Sequence, residues 1–199
     1  MNTWRAGCGG SRTSGSEGGP GKPTSRKADR APRPDPYTEH WTGEGKLYLC
    51  AVKDVHSNRI VGYSIDSRMK SRIAVAALDN AVARRRAEGA DVAGCVLHTD
   101  RGSQFRSRKL VRALNRYAMV GSMGRVGAAG DNAAMESLFS LLQKNVLNRR
   151  SWATRQELRI AIVTWIEKTY HRRRRQDSLE RLTPIEYEMI MTTPATQAA

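Results

Sequence analysis

The sequence has few cysteines and few acidic residues, and both shortages narrow the class of protein that it can encode. Its three cysteines, Cys8, Cys50 and Cys95, form no Cys-x-x-Cys pair, so they indicate neither a zinc knuckle nor a disulfide framework. The 199 residues include 19 Asp and Glu against 34 Lys and Arg, which gives a formal net charge of +15. Such an excess predicts a polyanionic partner, with nucleic acid as the first interpretation and an anionic membrane surface as the alternative.

Long apolar runs are absent as well. No stretch approaches the roughly 18 residues that a membrane-spanning helix needs, and the N-terminus has no apolar signal core. We therefore expect a cytoplasmic protein without a membrane partner.

Composition divides the chain into three parts. Residues 1–36 are mostly Gly, Ser, Pro and basic residues, with too few large apolar side chains to offset the chain entropy lost on folding. They are predicted to be a disordered basic tail. Residues 37–190 carry the hydrophobic patterns of a folded core, and residues 191–199 are predicted to be a flexible C-terminal tail.

The core alternates strands and helices in the order typical of an α/β domain with a mixed sheet. Two β-rich runs flank a short turn and predict a hairpin, after which a helix, a strand, a second helix and a last strand follow. Three more helices complete the pattern, and two of them open with a Thr-x-x-Glu capping box. In chain order the segments are KLYLCAVKD, RIVGYSID, SRIAVAALDNAVARRRAEGA, VAGCVLHT, SRKLVRALNRYA, MVGSM, DNAAMESLFSLLQKNVL, TRQELRIAIVTWIEKTYH and the short helix after Thr183.

Two carboxylates stand where metal-dependent DNA enzymes place such groups. Asp100 follows the VAGCVLHT strand, and the ligand groups of α/β sheets lie at the carboxyl ends of strands. Glu136 lies in the first turns of the DNAAMESLF helix, beside its apolar stripe. Carboxylates from different elements can together hold the two divalent cations of phosphoryl transfer. Taken singly, Asp100 is more simply a turn or capping residue, and Glu136 a solvated helix residue.

Three motifs and their spacing resemble one known family. The motifs are HTDRGSQF, GDNAAMESLFSLLQKNVL and YHRRRRQDSLERLTPIEYE, with 35 residues between Asp100 and Glu136. Together they resemble the integrase-type core of bacterial insertion-sequence transposases, in particular the subunit encoded by the second of two overlapping reading frames. The resemblance extends from about Thr38 to Glu188.

This resemblance implies a ribonuclease-H-like fold, with a mixed five-stranded sheet flanked by helices. It also implies three acids in the order Asp-Asp-Glu that bind two Mg²⁺ or Mn²⁺ ions and serve DNA cleavage and strand transfer. Asp100 matches the second acid and Glu136 the third, both as catalytic residues and as metal ligands. The implied partners are DNA of the element's ends and target, a companion-frame helix-turn-helix subunit, and further copies of the chain on DNA. The implied location is the bacterial cytoplasm, at the nucleoid.

The first acid of the pattern is missing from its expected place. The family's first strand reads Asp-x-Thr-Glu-His, whereas this sequence reads PYTEH over residues 36–40. Asp35 is one residue early, and a shift of one residue turns a strand side chain to the opposite face. We therefore expect an incomplete first strand, a degraded N-terminal part, and a tail that derives from another reading frame or a faulty start. The predicted function is a transposase catalytic domain; the alternatives are an impaired DNA-binding remnant and a general nuclease of the same fold.

Six cationic residues are candidates for DNA contact. One adjoins Asp100, one lies on the polar edge of the Glu136 helix, and four form an uninterrupted run. Cationic side chains that engage phosphates give affinity that depends on salt and tolerates many sequences, although each could equally be a solvated surface charge. The six are Arg101, Lys144, Arg172, Arg173, Arg174 and Arg175.

Three other residues are assigned structural roles. Asp54 ends the first hairpin strand and is predicted to be a turn residue rather than a substitute metal ligand. Trp165 and Tyr170 share a helix face with isoleucines and are predicted to pack in the core.

Overall fold

The computed structural model of the chain describes residues 3–8, 39–100, 102–123 and 133–192. These residues form a mixed six-stranded sheet flanked by helices, which confirms the predicted α/β class and adds one strand to the five expected. The strands are β1 (Thr3–Cys8), β2 (Glu39–Thr42), β3 (Gly45–Asp54), β4 (Ile60–Asp66), β5 (Val96–Thr99) and β6 (Val120–Met123). The α-helices are α1 (Ser71–Ala87), α2 (Arg108–Arg116), α3 (Ala133–Asn145), α4 (Arg155–Thr164) and α5 (Pro184–Thr192).

Local signals in the sequence set several of these boundaries. Gly89, at φ +79°, follows α1 in the left-handed conformation that glycine adopts readily at a helix end. The capping box before α5 is complete, because Glu186 N–H donates to Thr183 Oγ1 and Thr183 N–H donates to a Glu186 carboxylate oxygen. Helix α1 differs from the prediction by one residue, since Lys70 rather than Ser71 is the N-cap and no side chain caps the helix.

The sheet has the strand order β2-β3-β1-β5-β6, and β4 pairs with the other edge of β3. Strands β1, β5 and β6 run parallel, whereas β1, β2 and β4 are antiparallel to β3. The β5 strand is shorter than the VAGCVLHT pattern predicted, because Gly94 takes a left-handed turn at φ +74° before Val96. Strand β5 therefore lies between two parallel neighbours, with its carboxyl end beside that of β1.

Strands β1 and β2 lie end to end along one edge of β3. Cys8 is opposite Cys50 and Glu39 is opposite Tyr48, so one register position separates the two strands. Tyr48 also pairs with Asp66 of β4, which fixes β4 on the other edge. The prediction of a disordered tail over residues 1–36 is therefore wrong for Thr3–Cys8, and the rest of that tail lies outside the described residues. Two short strands, β1 and β2, thus share the edge of β3 on which a single first strand was expected.

Two apolar clusters cover the two faces of the sheet. Side chains alternate along β3, so Cys50 and Val52 face helices α1 and α2, whereas Leu49 and Ala51 face helices α3 and α4. Buried members of the first cluster include Trp4, Val61, Ile73, Leu78, Leu97, Phe105 and Leu110. Buried members of the second include Met135, Leu138, Phe139, Leu142, Leu158, Ile162, Trp165, Ile166 and Tyr170. The core positions predicted for Trp165 and Tyr170 are confirmed.

A π-helix carries the chain from α4 into the arginine run. It spans Trp165–Tyr170 and ends at His171, which is fully buried. His171 Nε2 accepts the N–H of Ile60 at 3.1 Å, so its proton is on Nδ1, which faces a Glu167 carboxylate oxygen at 3.2 Å. Burial lowers the pKa of His171, and this neutral imidazole holds the arginine run against the β3–β4 hairpin.

Helix α5 is attached to the hairpin and α1 by a cluster of ionic groups. Glu188 accepts from Arg59, from Arg85 at 2.6 Å and from Ser57 at 2.6 Å. Burial opposes ionisation of Glu188, yet these hydrogen bonds lower its pKa to about 2. Asp54 also belongs to this cluster, because Oδ2 accepts from Arg85 at 2.9 Å while Oδ1 accepts the N–H of His56. Asp54 is thus part of a turn and an ion pair, in line with its predicted structural use.

Three further observations complete the fold. Cys50 is disulfide-bonded, which the cysteine spacing did not indicate, whereas Cys95 is a free and buried thiol. Helix α5 continues to Thr192, two residues into the segment predicted to be a flexible tail from residue 191. Within the described ranges, no helix is both long and apolar enough to cross a membrane.

Candidate active site

Asp100 lies directly after β5, half-buried at the carboxyl end of the strand. Its Oδ1 accepts the N–H of Gly102 at 2.7 Å, and a Cβ built at Gly102 would come within 2.8 Å of the same oxygen. A larger residue at position 102 would therefore displace the side chain of Asp100 or Gln104. Burial raises the pKa of Asp100, and the hydrogen bond from Gly102 opposes that shift. A half-buried carboxylate with one oxygen held by the backbone is a suitable ligand for a cation.

The direction of Asp100 follows from its strand. Leu97 belongs to the cluster on the α1 side of the sheet, so alternation places His98 and Asp100 on the α3 side. His98 Nδ1 lies 3.1 Å from Ser122 Oγ of β6, and its Nε2 is buried without a partner among the described residues.

Glu136 lies in the first turn of α3, exposed to solvent. Met135 and Leu138 on either side are buried and anchor the helix on the sheet. Helix α3 packs against β1, and Lys53 Nζ of β3 donates to the carbonyl oxygen of Ala134 at 3.4 Å. The start of α3 therefore lies over β1 and β3, on the face to which Asp100 points. The fold thus places Asp100 and Glu136 on the same side of the sheet.

Gly7 lies between these two elements. Gly7 is opposite Ala51 of the α3-side cluster, so alternation along β1 assigns position 7 to that side. Ala6 pairs with Thr99 in the parallel register of β1 and β5, and the next residues of the two strands are Gly7 and Asp100. The position beside Asp100 thus has no side chain at all.

A buried lysine lies on the same face. Lys53 is 5% exposed and forms no salt bridge among the described residues. Burial, together with repulsion from Arg174, lowers the pKa of Lys53 to about 8. A cation in this position carries a desolvation cost that no described acid offsets.

The described residues do not fit the metal pair expected from three acids. No group of three or more His, Cys, Asp or Glu side chains in the described ranges lies close enough to hold a metal ion. That pair needs three carboxylates, and the sequence motifs supply two, Asp100 and Glu136, so we assign no chemical step through a metal.

The candidate DNA-contact residues are placed unevenly. Arg101 lies outside the described residues, and Lys144 is exposed in the last turn of α3. The run Arg172–Arg175 is exposed throughout, directly after the π-helix. The π-helix before the run packs in the α3-side cluster, and Arg174 contributes to the lowered pKa of Lys53, whose Nζ contacts the first turn of α3.

Some residues that shape the site were not found from the sequence. Gly7 and Lys53 were missed because their importance depends on strand register, which a sequence motif does not report. Trp4 was an available signal, because a large aromatic residue in the N-terminal segment favours a strand over a solvated tail.

The fold and the placement of these residues define the class of protein. The chain resembles an HTLV-2 integrase catalytic core domain solved with magnesium, with a TM-score of 0.54 and 18% identity, over 75% of this chain and 90% of that one. It also resembles a chain of a simian T-cell lymphotropic virus intasome, with a TM-score of 0.53 and 15% identity, over 66% of this chain and 46% of that one. The fold is thus the ribonuclease-H-like fold of integrase catalytic cores.

Sequence comparison agrees with the fold. Two family descriptions, both "Integrase core domain", match residues 36–129 and 118–184. The transposase for insertion sequence element IS629 of Shigella sonnei is 33% identical over 163 residues, 79% of this chain and 53% of that protein. Transposase InsF for insertion sequence IS3A of Escherichia coli K12 is 34% identical over 147 residues, 74% of this chain and 50% of that protein. The chain belongs to the integrase-core family of insertion-sequence transposases, and it spans about half the length of these relatives.

Proposed function

We propose that this chain is the catalytic core of an insertion-sequence transposase, which acts on DNA by phosphoryl transfer. The reaction is cleavage at the ends of the element and joining of the freed 3′-hydroxyl groups to new phosphates. The observation that supports it is the placement of Asp100 and Glu136 on the α3 side of the sheet in an integrase fold. Both carboxylates would be catalytic residues and ligands for Mg²⁺ or Mn²⁺ in an intact site.

DNA as the substrate is supported by charge. The net charge of +15 favours a polyanion, and the exposed run Arg172–Arg175 lies on the side of the molecule that carries the carboxylates. Arg101 and Lys144 are proposed as further phosphate contacts. A target phosphate could thus be held by the arginines while its reacting bond lies near Asp100.

Specificity for the ends of the element requires a second component. We identify no helix-turn-helix motif in the described part of the chain. We therefore propose that a companion helix-turn-helix subunit recognises the DNA sequence of the element's ends. Several copies of the chain would assemble on DNA; the similar HTLV-2 integrase core was solved in a trimeric form. The proposed location is the bacterial cytoplasm, at the nucleoid.

A second function is favoured by Gly7 and Lys53, namely a DNA-binding core with impaired catalysis. Each carboxylate offsets cation charge and fixes geometry, so a site with two acids holds metal weakly. The wild-type chain is therefore expected to bind DNA and to show weak or no strand transfer.

A joining assay separates these functions. The full 199-residue chain is incubated with labelled DNA from the element's ends and Mn²⁺, with Asp100→Asn as the control. Joined product that disappears in the control supports the enzyme, and binding without product supports the impaired core. Indiscriminate cutting indicates a general nuclease of the same fold. A chain that fails to bind DNA at low salt contradicts the proposed function in both forms.

A further inference from the structure

We propose that Gly7 occupies the position of a third carboxylate in the candidate site, and that an acid at this position creates a divalent-metal site that the wild-type chain lacks. This inference rests on the proposed function, because it concerns the same site. The sequence pattern assigned the missing first acid to position 36, which is a proline. The present inference assigns it to position 7 instead, almost thirty residues earlier.

The first argument is the continuity of β1 and β2. The two strands lie along the same edge of β3, run in the same direction, and are separated by the register position opposite Leu49. That gap has room for one residue, and Thr38 is the residue that precedes Glu39 in the sequence. The composite strand then reads WRAGC followed by TEH. Gly7 stands two residues before the threonine, where Asp-x-Thr-Glu-His has its aspartate.

The second argument is the direction of position 7. Gly7 is opposite Ala51, which belongs to the cluster under α3 and α4. The parallel register that pairs Ala6 with Thr99 makes Gly7 and Asp100 the next neighbours across β1 and β5. A side chain at position 7 would thus project to the face of Asp100, at the strand ends over which α3 begins.

The third argument is the uncompensated charge of Lys53. Its ammonium is buried on the same face, and the strand register places it diagonal to Gly7, because Lys53 is opposite Arg5. A carboxylate at position 7 would add a negative charge where the structure has a buried positive one. Gly7 supplies no such charge. The site therefore lacks a carboxylate that could compensate Lys53 or help to bind a divalent cation.

The test is the affinity for Mn²⁺, measured by the loss of the free-ion electron paramagnetic resonance signal. Wild type is compared with Gly7→Asp, in the full chain and without DNA. We expect Gly7→Asp to bind Mn²⁺ at least about tenfold more tightly than wild type, because ligand charge sets the affinity for hard cations. Equal affinities, or tight binding by wild type, would overturn the proposal.

Three matched variants assign the gain to this geometry. Gly7→Asn adds a side chain of the same size without charge and should leave the affinity of wild type unchanged. Pro36→Asp restores the acid at the position indicated by the sequence alone and should gain nothing. Gly7→Asp combined with Asp100→Asn should lose the gain. A gain in Pro36→Asp instead of Gly7→Asp would show that the register is wrong.

Two further measurements, of folding and of DNA binding, distinguish failure of this inference from failure of the proposed function. Thermal melting with and without saturating Mn²⁺ shows whether Gly7→Asp is folded, and Mn²⁺ should raise its melting temperature. A variant that stays unfolded with Mn²⁺, or one that is stabilised without metal and gains no affinity, contradicts the proposal. DNA binding by wild type is measured separately. Its absence would remove the proposed function, whereas intact DNA binding with no metal gain would remove only this inference.

Discussion

Asp100 and Lys53 show how single positions set the electrostatics of the site. Burial raises the pKa of the acid and lowers that of the lysine, so each charged form is disfavoured where it stands. Asp100 keeps a compensating hydrogen bond from Gly102, whereas Lys53 has one long hydrogen bond to a carbonyl. The lysine is therefore expected to cost stability.

Replacement of Lys53 by methionine is predicted to stabilise the fold at pH 7. The pKa of Lys53 is about 8 in the folded chain and 10.5 ordinarily. Between pH 8 and pH 10.5 the unfolded chain therefore binds more protons than the folded chain. Wild-type stability should therefore rise as pH increases from about 8 to 10.5, and the destabilisation is fully present below about 8. The gain at pH 7 is on the order of 2–3 kcal/mol in the free energy of unfolding.

Chemical denaturation of wild type and Lys53→Met at pH 7 and pH 10 measures this difference. The advantage of the variant should shrink at the higher pH. Lys46→Met is the control on the same strand, because Lys46 is partly exposed and pairs with Glu39. A Lys53→Met protein less stable than wild type at pH 7 would mean that the ammonium has a partner that favours it.

At the scale of elements, the interrupted first strand is the feature that decides the site. β1 and β2 together occupy the position of a single strand beside β3, with residues 9–38 between them. The pairing with β5 is made by β1 alone, so the N-terminal segment determines what lies beside Asp100. A strand of six residues near the N-terminus therefore lies beside the strand that ends at Asp100.

Deletion of residues 9–37 is predicted to preserve the fold and increase its stability. The deletion joins Cys8 to Thr38 and supplies the one residue that the register requires opposite Leu49. Closing a loop of this length costs about 2–3 kcal/mol of entropy, which the shortened chain would no longer lose. Thermal melting and circular dichroism measure the effect.

A deletion longer by one residue is the matched control. Removal of residues 9–38 shifts the register by one position, so every β2 side chain would turn to the opposite face. That chain should melt at a lower temperature than the first deletion. Equal stability of the two deletions would show that β1 and β2 are not a continuous strand.

At the scale of the whole molecule, exposed cations lie on both sides of the sheet. DNA binding by local contacts with one cluster can therefore be distinguished from attraction by the net charge. The exposed run Arg172–Arg175 lies on the α3 side of the sheet, whereas the α1 side carries other exposed cations. A polyanion attracted only by net charge would not distinguish the two sides.

Replacement of Arg172–Arg175 by glutamine is predicted to weaken DNA binding and to flatten its salt dependence. Each lost phosphate contact should reduce the slope of log affinity against log salt by about 0.9, so the four together reduce it by up to about 3–4. Fluorescence anisotropy over a series of salt concentrations gives the slope.

The matched control removes four exposed cations from the other side of the sheet, namely Arg68, Lys70, Arg108 and Arg112. It changes the net charge equally and should alter the slope much less. An equal loss in both quadruple variants would mean that DNA is held by overall charge rather than by the arginine run.

Much of the fold followed from local patterns. The hairpin around VHSN, the helices that begin at Ser107 and Thr154, and the buried faces at Trp165 and Tyr170 depend on neighbours within a few residues. Short-range hydrogen bonds and hydrophobic periodicity fix such features, so the sequence reports them directly. Asp100 and Glu136 were assigned through the family resemblance, and their catalytic and metal-binding roles stay predictions.

The sequence by itself determined the alternation of strands and helices, the cationic character and the family pattern around Asp100 and Glu136. Only the tertiary structure decided that Thr3–Cys8 pairs with both β3 and β5, which makes Gly7 the residue after the one that pairs with Thr99. The physical reason is that strand pairing joins residues across any length of intervening chain, whereas a motif is recognised only while its residues remain adjacent. Residues 9–38 separate the two halves of this strand in sequence, and hydrogen bonding to β3 aligns them again.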